Sequence, residues 1–409
     1  MTLTDPTTSP DADTDEHLVV LSSDCHAGAP TDEYRQYLEA EWHDEFDAWR
    51  AKYSNPFRDL TDGVKTRNWD DERRTTEQYA DGVIGEVVFP NTVPPFFPTG
   101  QLIAYPPRSA ESYRRRLAGI RAHNRWLADW CDHLPGQRIG LAQVFMNDID
   151  DAVADATWAA DNGFRSILMP AVPPDLGVPP LYTDHYDPLW RVCEERGLVV
   201  TQHGGGGLPN YANHAATGFL MLMEVQFFAN RTLWHMLLSG AFHRFPDLKL
   251  VMTEQGVAWV PAVLERMDHF WHQMNDTGRV GELQFEVKGL LPEPPSVYFA
   301  RNCYIGASFP TPSDAEAIRS IGVERVMWGS DYPHDEGTHP HSRESLRRTF
   351  AGWSPDELRA VLSGTAAEVY GFDLDALAPI AAEHGPTLAE LATPLTELPD
   401  NASPAFTRA

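Results

Sequence analysis

The stretch Tyr186–His203, YDPLWRVCEERGLVVTQH, contains the unit from which the fold is built. Its first part has apolar residues at helical spacing and stops at Gly197, a residue type that commonly ends helices. Its second part, Gly197–His203, is a short run rich in Val and Leu that closes with polar residues. Such a run is typical of a parallel strand that is buried on both faces. The stretch therefore predicts a helix that leads directly into a buried parallel strand.

The same strand pattern recurs along the chain. The further strand-like runs are His17–Asp24, Gly82–Pro90, Arg138–Phe145, Phe164–Pro170, Leu248–Glu254, Val297–Ser308 and Glu324–Asp331. Amphipathic helical stretches lie between several of them, at Ser112–His133, Ile149–Asn162, Gly218–Phe245 and Val257–Asn275. Eight strands that alternate with helices predict an α/β fold, a (β/α)8 TIM barrel. An open doubly wound sheet is the alternative, but no GxGxxG follows the first strand.

Three segments fall outside this alternation. Residues 1–16 are polar and acidic, and we predict a disordered N-terminal segment there. The barrel is expected at 17–372, and the proline-punctuated stretch 373–409 is expected to form a C-terminal arm that packs on a partner subunit or has no function. Residues 30–81 form a long insertion after the first strand. Loops that follow strands lie on the catalytic face of such barrels, so this insertion is expected over the active site.

Charge and composition exclude several classes of protein. The chain has 409 residues and a formal net charge of −27, which disfavours binding to nucleic acids and to anionic membranes. The N-terminus lacks the basic and apolar regions of a signal peptide, and no run of about 18 apolar residues occurs. The 4 cysteines are widely spaced, so neither a disulfide framework nor a zinc ribbon is indicated. We predict a cytoplasmic protein that acts on a small molecule.

Residue types that bind metals stand at the carboxyl ends of four predicted strands. The first strand ends in SDCH at 23–26, and residues two apart on a strand point to the same face. The fifth, sixth and eighth strands end at His203, Glu254 and Asp331. Two imidazoles that converge with two or three carboxylates suit a divalent transition metal. The predicted metal ligands are Asp24, His26, His203 and Asp331, with Glu254 as a further ligand or a proton-transfer group.

Longer motifs around these residues resemble the amidohydrolase superfamily. They are SDCH at 23–26, the stretch at 186–203, GAFHRFPDLKLVMTEQGVAW at 240–259 and WGSDYPH at 328–334. The chain resembles the amidohydrolase-related branch that includes aminocarboxymuconate-semialdehyde decarboxylase. The resemblance implies a barrel in which the first-strand pair, the fifth-strand histidine and the eighth-strand aspartate bind the metal, which are Asp24, His26, His203 and Asp331.

Two departures from this branch bear on the number of metals. Its decarboxylases usually carry a histidine on the sixth strand, where this chain has Glu254. The family histidine is thought to act as an acid or base near neutral pH, and a glutamate can do the same only if burial raises its pKa. Alternatively, Glu254 can hold a second metal together with His203 and His334. Many dinuclear amidohydrolases use a carboxylated lysine on strand four, and no lysine stands there. The expected cofactor is zinc for a mononuclear site, and iron or a Mn/Fe pair for a dinuclear site.

The predicted site is compatible with several reactions. We expect hydrolysis of a small carboxylate- or carbonyl-containing substrate by metal-activated water, with Asp331, Glu254 and His334 as catalytic residues. The first alternative is a dinuclear non-haem iron (Fe/Fe or Mn/Fe) monooxygenase that hydroxylates an unactivated carbon. Further alternatives are a non-oxidative decarboxylase and a non-catalytic scaffold subunit of a catalytic homologue. The HGGG at 203–206 occurs without a GxSxG, so a serine hydrolase is rejected.

Arginine is the expected anchor of a substrate carboxylate, because its guanidinium binds carboxylates in a bidentate manner. The insertion offers four arginines for this role, namely Arg58, Arg67, Arg73 and Arg74. We also expect a homo-oligomer, possibly paired with a homologous subunit.

Overall fold

The alternating strands form a single eight-stranded parallel sheet. The computed structural model describes residues 15–57, 60–61, 63–91, 93–101, 103–285 and 291–406. Its strands are β1 (Leu21–Ala27), β2 (Gly85–Pro90), β3 (Arg138–Gln143), β4 (Ser166–Leu168), β5 (Val199–His203), β6 (Leu250–Thr253), β7 (Arg279–Val280), β8 (Leu283–Gln284), β9 (Cys303–Ser308) and β10 (Val326–Gly329). The sheet runs β1-β2-β3-β4-β5-β6-β9-β10, while β7 and β8 form a separate hairpin. The predicted (β/α)8 barrel is confirmed.

The barrel closes just beyond the last strand. The Asp331 N–H donates to the Asp24 carbonyl at 2.8 Å, and the His26 N–H donates to the Tyr332 carbonyl at 2.6 Å. An isolated parallel bridge also joins Cys25 to Tyr332. The segment after β10 therefore pairs with β1, so the first and last strands of the sheet are joined and the barrel is closed.

Helices cover the outside of the barrel. They are α1 (His43–Arg50), α2 (Asp71–Ala80), α3 (Ala110–Cys131), α4 (Ile149–Asp161), α5 (Asp187–Arg196), α6 (Thr217–Leu238), α7 (Ala241–Arg244), α8 (Val260–Thr277), α9 (Pro295–Asn302), α10 (Ala315–Ile321), α11 (Ser342–Phe350), α12 (Pro355–Arg359), α13 (Thr365–Tyr370), α14 (Leu374–His384) and α15 (Leu388–Ala392). In the part of the chain that the structure describes, no helix has the length and apolar character needed to cross a membrane.

Two predicted elements differ from the structure. The helix expected over Gly218–Phe245 is divided into α6 and α7, because Gly240 adopts a left-handed φ of 77° between them. The strand expected over Val297–Ser308 is wrong in its first half, which belongs to α9. A proline in the first turn favours that helix, since its fixed φ suits the position and its missing N–H is not needed there.

The amino end of the barrel is closed by the C-terminal helices. Strand residues such as Leu21, Val87 and Val251 form one apolar cluster with Tyr370 of α13 and Leu377 of α14. The rest of the arm predicted at 373–409 also packs on its own barrel, since Leu388 and Leu391 join the main core and Ala405 and Phe406 pack on Phe309 after β9. Burial of this apolar surface removes it from water and stabilises the closed end.

The insertion at 30–81 is fastened to the barrel by a buried ion network. Arg74 of α2 donates to Glu86 of β2 at 2.5 Å and to the His26 carbonyl at 2.8 Å. Arg138 of β3 donates to the same carboxylate at 3.2 Å. Because Arg74 reaches the carbonyl of a predicted ligand, the insertion lies against the carboxyl ends of the strands.

We predicted disorder for residues 1–16, and residues 1–14 of that segment lie outside the described residues. Glu16 is held in place because its carboxylate accepts hydrogen bonds from Arg359 at 3.0 and 2.6 Å. Its carbonyl also accepts from the Leu388 N–H at 3.0 Å. Glu16 is therefore ordered, although it falls inside the segment that we predicted to be disordered.

Candidate metal centre

Four of the predicted ligands meet at the carboxyl ends of the strands. His26 Nε2 lies 3.3 Å from Asp24 Oδ1 and 3.2 Å from Asp331 Oδ1. His203 Nε2 lies 3.5 Å from Asp24 Oδ1. Both aspartate side chains are 0% exposed. Residues that are separated by up to about three hundred positions in the sequence thus face one another in a buried cluster.

Most of the facing atoms of this cluster lack hydrogen-bond partners. Among the described residues, the buried atoms without one include Asp24 Oδ1, His26 Nε2 and His203 Nε2. Asp331 Oδ1, which faces His26, pairs with His334 Nδ1, while its other oxygen, Oδ2, has no partner among the described residues. Leaving a buried polar atom unsatisfied costs about 1–3 kcal/mol, so a convergent set of them calls for a ligand. Two imidazole nitrogens and two carboxylate oxygens are donors that a divalent transition metal accepts. The residues present therefore fit such an ion.

Contacts behind the cluster orient its donor atoms. His26 Nδ1 lies 3.2 Å from the Pro90 carbonyl, and His203 Nδ1 lies 3.1 Å from the Gly204 carbonyl. These carbonyls favour a proton on Nδ1, so that Nε2 is the nitrogen that can offer an electron pair to a metal once its own proton has left. The Ser308 hydroxyl donates to Asp24 Oδ2. Asp24 therefore presents its other oxygen, Oδ1, to the two histidines.

The backbone is strained where two of the carboxylates follow their strands. Glu254 has a φ of 55° and Asp331 a φ of 60°, in the left-handed region that costs free energy for residues other than glycine. A Cβ on Gly204 would lie 2.5 Å from the Glu254 carbonyl oxygen. A Cβ on Gly329 would lie 2.7 Å from the Asp24 Cβ. Glycines at these two positions let the ligand-bearing segments approach one another.

Glu254 and His334 flank the cluster on different sides. Glu254 Oε2 lies 3.4 Å from His203 Nε2. His334 Nδ1 lies 2.7 Å from Asp331 Oδ1, and its ring centroid lies 4.0 Å from that of His26. Within the described residues, the two groups of potential ligand atoms are Asp24–His26–His203 and His26–Asp331–His334. The second set expected from the sequence, His203 with Glu254 and His334, is not brought together as such a group.

Burial and neighbouring charges shift the pKa values of the site. Burial raises the pKa of Glu254 to about 7, although His203 opposes the shift, and the carboxylates of Asp331 and Asp24 add to it. Burial by itself would raise the pKa of Asp24, but the imidazoles of His203 and His26 hold it far below its usual range. Glu254 and Asp24 overcome the effect of burial on His203 and raise its pKa to about 9. With a pKa of about 7, the Glu254 carboxyl is partly protonated near neutral pH.

A cleft with mixed polar and apolar walls opens above the cluster. A cavity of about 590 Å³ is lined by Phe57, Pro94 and Phe97 together with His26, His203, Glu254 and His334. An adjoining cavity of about 270 Å³ shares His203 and continues past Phe145, Leu168 and Met169. Phe57 belongs to the insertion, so the insertion contributes to this wall. The cleft can enclose a small ring-containing molecule against the metal-binding atoms.

The arginines expected to anchor a carboxylate are engaged elsewhere. Arg67 and Arg73 both pair with Glu77, at 2.7 and 2.9 Å, and Arg74 is buried against Glu86. The described residues that line the two cavities of the cleft include none of these three. Arg58 lies outside the described residues. The expectation is therefore wrong for the three arginines whose contacts the structure describes.

The cleft instead contains two polar residues that the sequence analysis missed. Arg116 of α3 and Gln143 at the end of β3 line its smaller cavity. Gln143 stands at a strand end, so the rule that found the metal-binding residues could have found it as well. Arg116 lies in an amphipathic helix, and no sequence signal distinguishes it from the other arginines of that helix.

The barrel and its convergent donors define a TIM-barrel enzyme with a site for a divalent metal. A sequence profile described as amidohydrolase matches residues 14–372, which is most of the chain. The chain belongs to the amidohydrolase family, and it is an enzyme of that superfamily. The predicted resemblance is thereby confirmed.

Several proteins of known activity are similar to this chain. The γ-resorcylate decarboxylase of Rhodococcus jostii is 27% identical over 241 residues, which cover 55% of this chain and 70% of that protein. The structure of 5-carboxyvanillate decarboxylase from Sphingomonas paucimobilis matches with a TM-score of 0.62 and 20% identity, over 87% of this chain and 100% of that one. The 5-carboxyvanillate decarboxylase of Novosphingobium aromaticivorans, complexed with manganese and 4-hydroxy-3-methoxy-5-nitrobenzoic acid, matches with a TM-score of 0.63 and 18% identity, over 86% and 96%.

Proposed function

We propose that this chain is a divalent-metal-dependent, non-oxidative decarboxylase of a hydroxylated aromatic carboxylate. The observation that carries the proposal is the convergence of the unpaired atoms of Asp24, His26 and His203, with Asp331 beside His26, beneath a cleft lined in part by aromatic rings. The relatives named above are decarboxylases of aromatic acids, which favours this reaction over the hydrolysis that we first expected. Manganese, the ion in the Novosphingobium aromaticivorans protein, is the metal that we propose.

Asp24, His26, His203 and Asp331 would hold the ion. When bound, it supplies positive charge that orients the oxygens of the substrate and stabilises negative charge that develops on them. Burial of both aspartates keeps water away from these donors. The low local dielectric strengthens the interaction of the site with an anionic substrate.

The side chains of the cleft perform the remaining tasks. Phe97 and Phe145 pack against the aromatic ring and exclude water from it. The bond between the ring carbon and the carboxylate breaks, CO2 leaves, and the electron pair stays on the ring carbon. That carbon takes the proton from Glu254 Oε2, whose pKa of about 7 keeps it partly protonated. The Glu254 side chain is 25% exposed, so solvent can return the proton.

Product analysis tests this proposal. The purified protein, loaded with Mn²⁺, would be incubated separately with 2,6-dihydroxybenzoate and with 5-carboxyvanillate under monitored oxygen. We expect release of CO2 and of the corresponding phenol in equal amounts from at least one of them, with no consumption of O2. The Asp331→Asn variant should lose this activity, because it lacks one of the metal-binding carboxylates. Absence of CO2 release from both acids, or turnover that consumes O2, would overturn the proposal.

A further inference from the structure

The cleft carries hydrogen-bond donors that the proposed reaction does not use. Arg116 and Gln143 line the cavity that extends from His203 and Gly204 past Phe145. The metal-binding atoms lie at one end of this space, since His203 belongs to both. Gln143 lines the larger cavity as well, whereas Arg116 lines only the smaller of the two, so Arg116 marks a second place in the cleft where a substrate can be held.

Arg116 is fixed in position but has no anionic partner among the described residues. One of its amino groups, Nη1, donates to the Tyr105 carbonyl at 2.6 Å. Its guanidinium also lies over the Phe145 ring, 5.3 Å from the centroid. No described carboxylate acts on it, and burial alone lowers its pKa to about 10. A guanidinium has five N–H donors, so most of its donating capacity is left for a ligand.

Gln143 is fixed in a similar way. Its backbone N–H donates to Asn124 Oδ1 and its carbonyl accepts from Asn124 Nδ2, each at 2.9 Å. Its side-chain Nε2 is buried and has no hydrogen-bond partner among the described residues. This nitrogen has almost no surface open to the cavity, so Gln143 lines the cavity with its other atoms, and the donors toward a ligand come from Arg116.

We propose that Arg116 forms an anion subsite that binds a second carboxylate of the substrate. This inference deepens the proposed function and rests on it for the aromatic ring between the two ends. Leu168 and Met169 line the same cavity and provide the apolar surface that such a ring requires. The substrate class is then an aromatic dicarboxylate, with one acidic group at the metal-binding atoms and the other at Arg116. Arg116 is a specificity-determining residue, because bidentate pairing with a carboxylate favours diacids over monoacids.

Isothermal titration calorimetry on the Mn²⁺-loaded protein tests the subsite with three probes: isophthalate, terephthalate and benzoate. The wild-type protein should bind at least one of the two dicarboxylates about tenfold more tightly than benzoate, as expected for a charge-assisted bidentate contact. In Arg116→Gln this preference should fall by about tenfold, while the Kd for benzoate changes by less than about twofold.

Matched variants separate the subsite from general effects of charge and folding. Arg114→Gln removes the same charge from an exposed position of the same helix, and the preference should be unchanged. Arg116→Lys keeps the charge but loses the planar fork, so it should retain only part of the preference. If Arg116→Gln does not fold, Arg116→Lys carries the test.

The inference is overturned if the wild-type protein binds neither dicarboxylate more tightly than benzoate, or if Arg116→Gln weakens all three probes equally. These results are distinct from failure of the proposed function. Selective, Arg116-dependent binding without CO2 release would refute only decarboxylation. Decarboxylation without such selectivity would refute only the subsite.

Discussion

The family resemblance implies a histidine where this chain has Glu254, and the surroundings of Glu254 bring its pKa close to that of a histidine. Burial raises its pKa to about 7 against the opposing influence of His203, and Asp331 and Asp24 contribute to the rise. An ordinary glutamate has a pKa of about 4.3 and carries almost no proton at neutral pH. The condition that the sequence analysis set for a glutamate in this role, a pKa raised by burial, is therefore met by the folded chain.

Glu254→Gln should separate proton transfer from metal binding. The amide keeps the size of the side chain but cannot supply a proton, so decarboxylation should fall by about 10²- to 10⁴-fold. The metal content of the purified protein should stay the same, because Glu254 belongs to neither group of converging ligand atoms. Glu265→Gln, at an exposed position of α8, is the control and should leave both quantities unchanged. Loss of the metal from Glu254→Gln would assign the residue to the ligands instead.

The sequence was informative about the site wherever the geometry is local. Asp24 and His26 are two residues apart on one strand, so their shared direction follows from strand periodicity. The partners of the arginines are not local. Arg74 is buried against Glu86 of a neighbouring strand, whereas Arg116 faces a cleft. Which arginine is available to a substrate therefore depends on the tertiary fold.

At the level of elements, the barrel could be predicted because each strand carries its own signal. Short apolar runs that end in polar residues identify most strands to within a few residues, as for Val199–His203. The run at 297–302 fails because its apolar residues suit a helix as well as a strand. Only the preceding Pro294 and Pro295 favour the helix that the structure contains. The position of the insertion over the cleft depends on long-range side-chain contacts, which the spacing of apolar residues does not predict.

The contact between α2 and the barrel leads to a prediction for stability. Arg74→Met leaves Glu86 buried with Arg138 as its remaining cationic partner, and it should lower the free energy of unfolding by about 3–5 kcal/mol. Urea unfolding monitored by circular dichroism measures the loss. Arg73→Met removes a partly exposed pair on the same helix and should cost about 0–1 kcal/mol. Equal losses in the two variants would contradict a special role for the buried network.

The same contact predicts a dependence on pH. Burial would raise the pKa of Glu86, but Arg74 and Arg138 outweigh it and lower the pKa to about 2. In the unfolded chain this carboxyl has a pKa of about 4.3, so the unfolded chain binds the proton at a higher pH than the folded chain does. The stabilisation by Glu86 is complete above about pH 4.3 and is lost as the pH falls toward about 2. Between about pH 5 and 3, Arg74→Met should lose less stability than the wild-type protein, and an identical loss would contradict this assignment.

At the scale of the whole molecule, α6 exposes an apolar surface to solvent, and such a surface is suited to the contact between subunits of the homo-oligomer that we expect. Phe219, Leu222, Met223 and Phe227 are 72, 79, 68 and 58% exposed. Clustered apolar exposure of this kind is uncommon on a monomer. We propose that a second copy of the chain covers it. Light scattering should show a multimer that Leu222→Glu reduces in mass, whereas Leu398→Glu, at an exposed position of the arm, should not change it. A monomeric wild-type protein would refute the proposal.

The proposed metal should stabilise the whole barrel, because only the folded chain brings its ligands together. Asp24 and His26 come from β1, His203 from β5 and Asp331 from the segment after β10, so the unfolded chain offers no comparable site. At a free concentration of about 100 times its Kd, Mn²⁺ should raise the free energy of unfolding by about 2.7 kcal/mol. A chelator should reverse this increase. Thermal unfolding with and without Mn²⁺ measures it. His203→Asn should lose most of this stabilisation, while His243→Asn, at an exposed position of α7, should keep it. Equal stabilisation of the two variants by Mn²⁺ would show that the ion binds elsewhere.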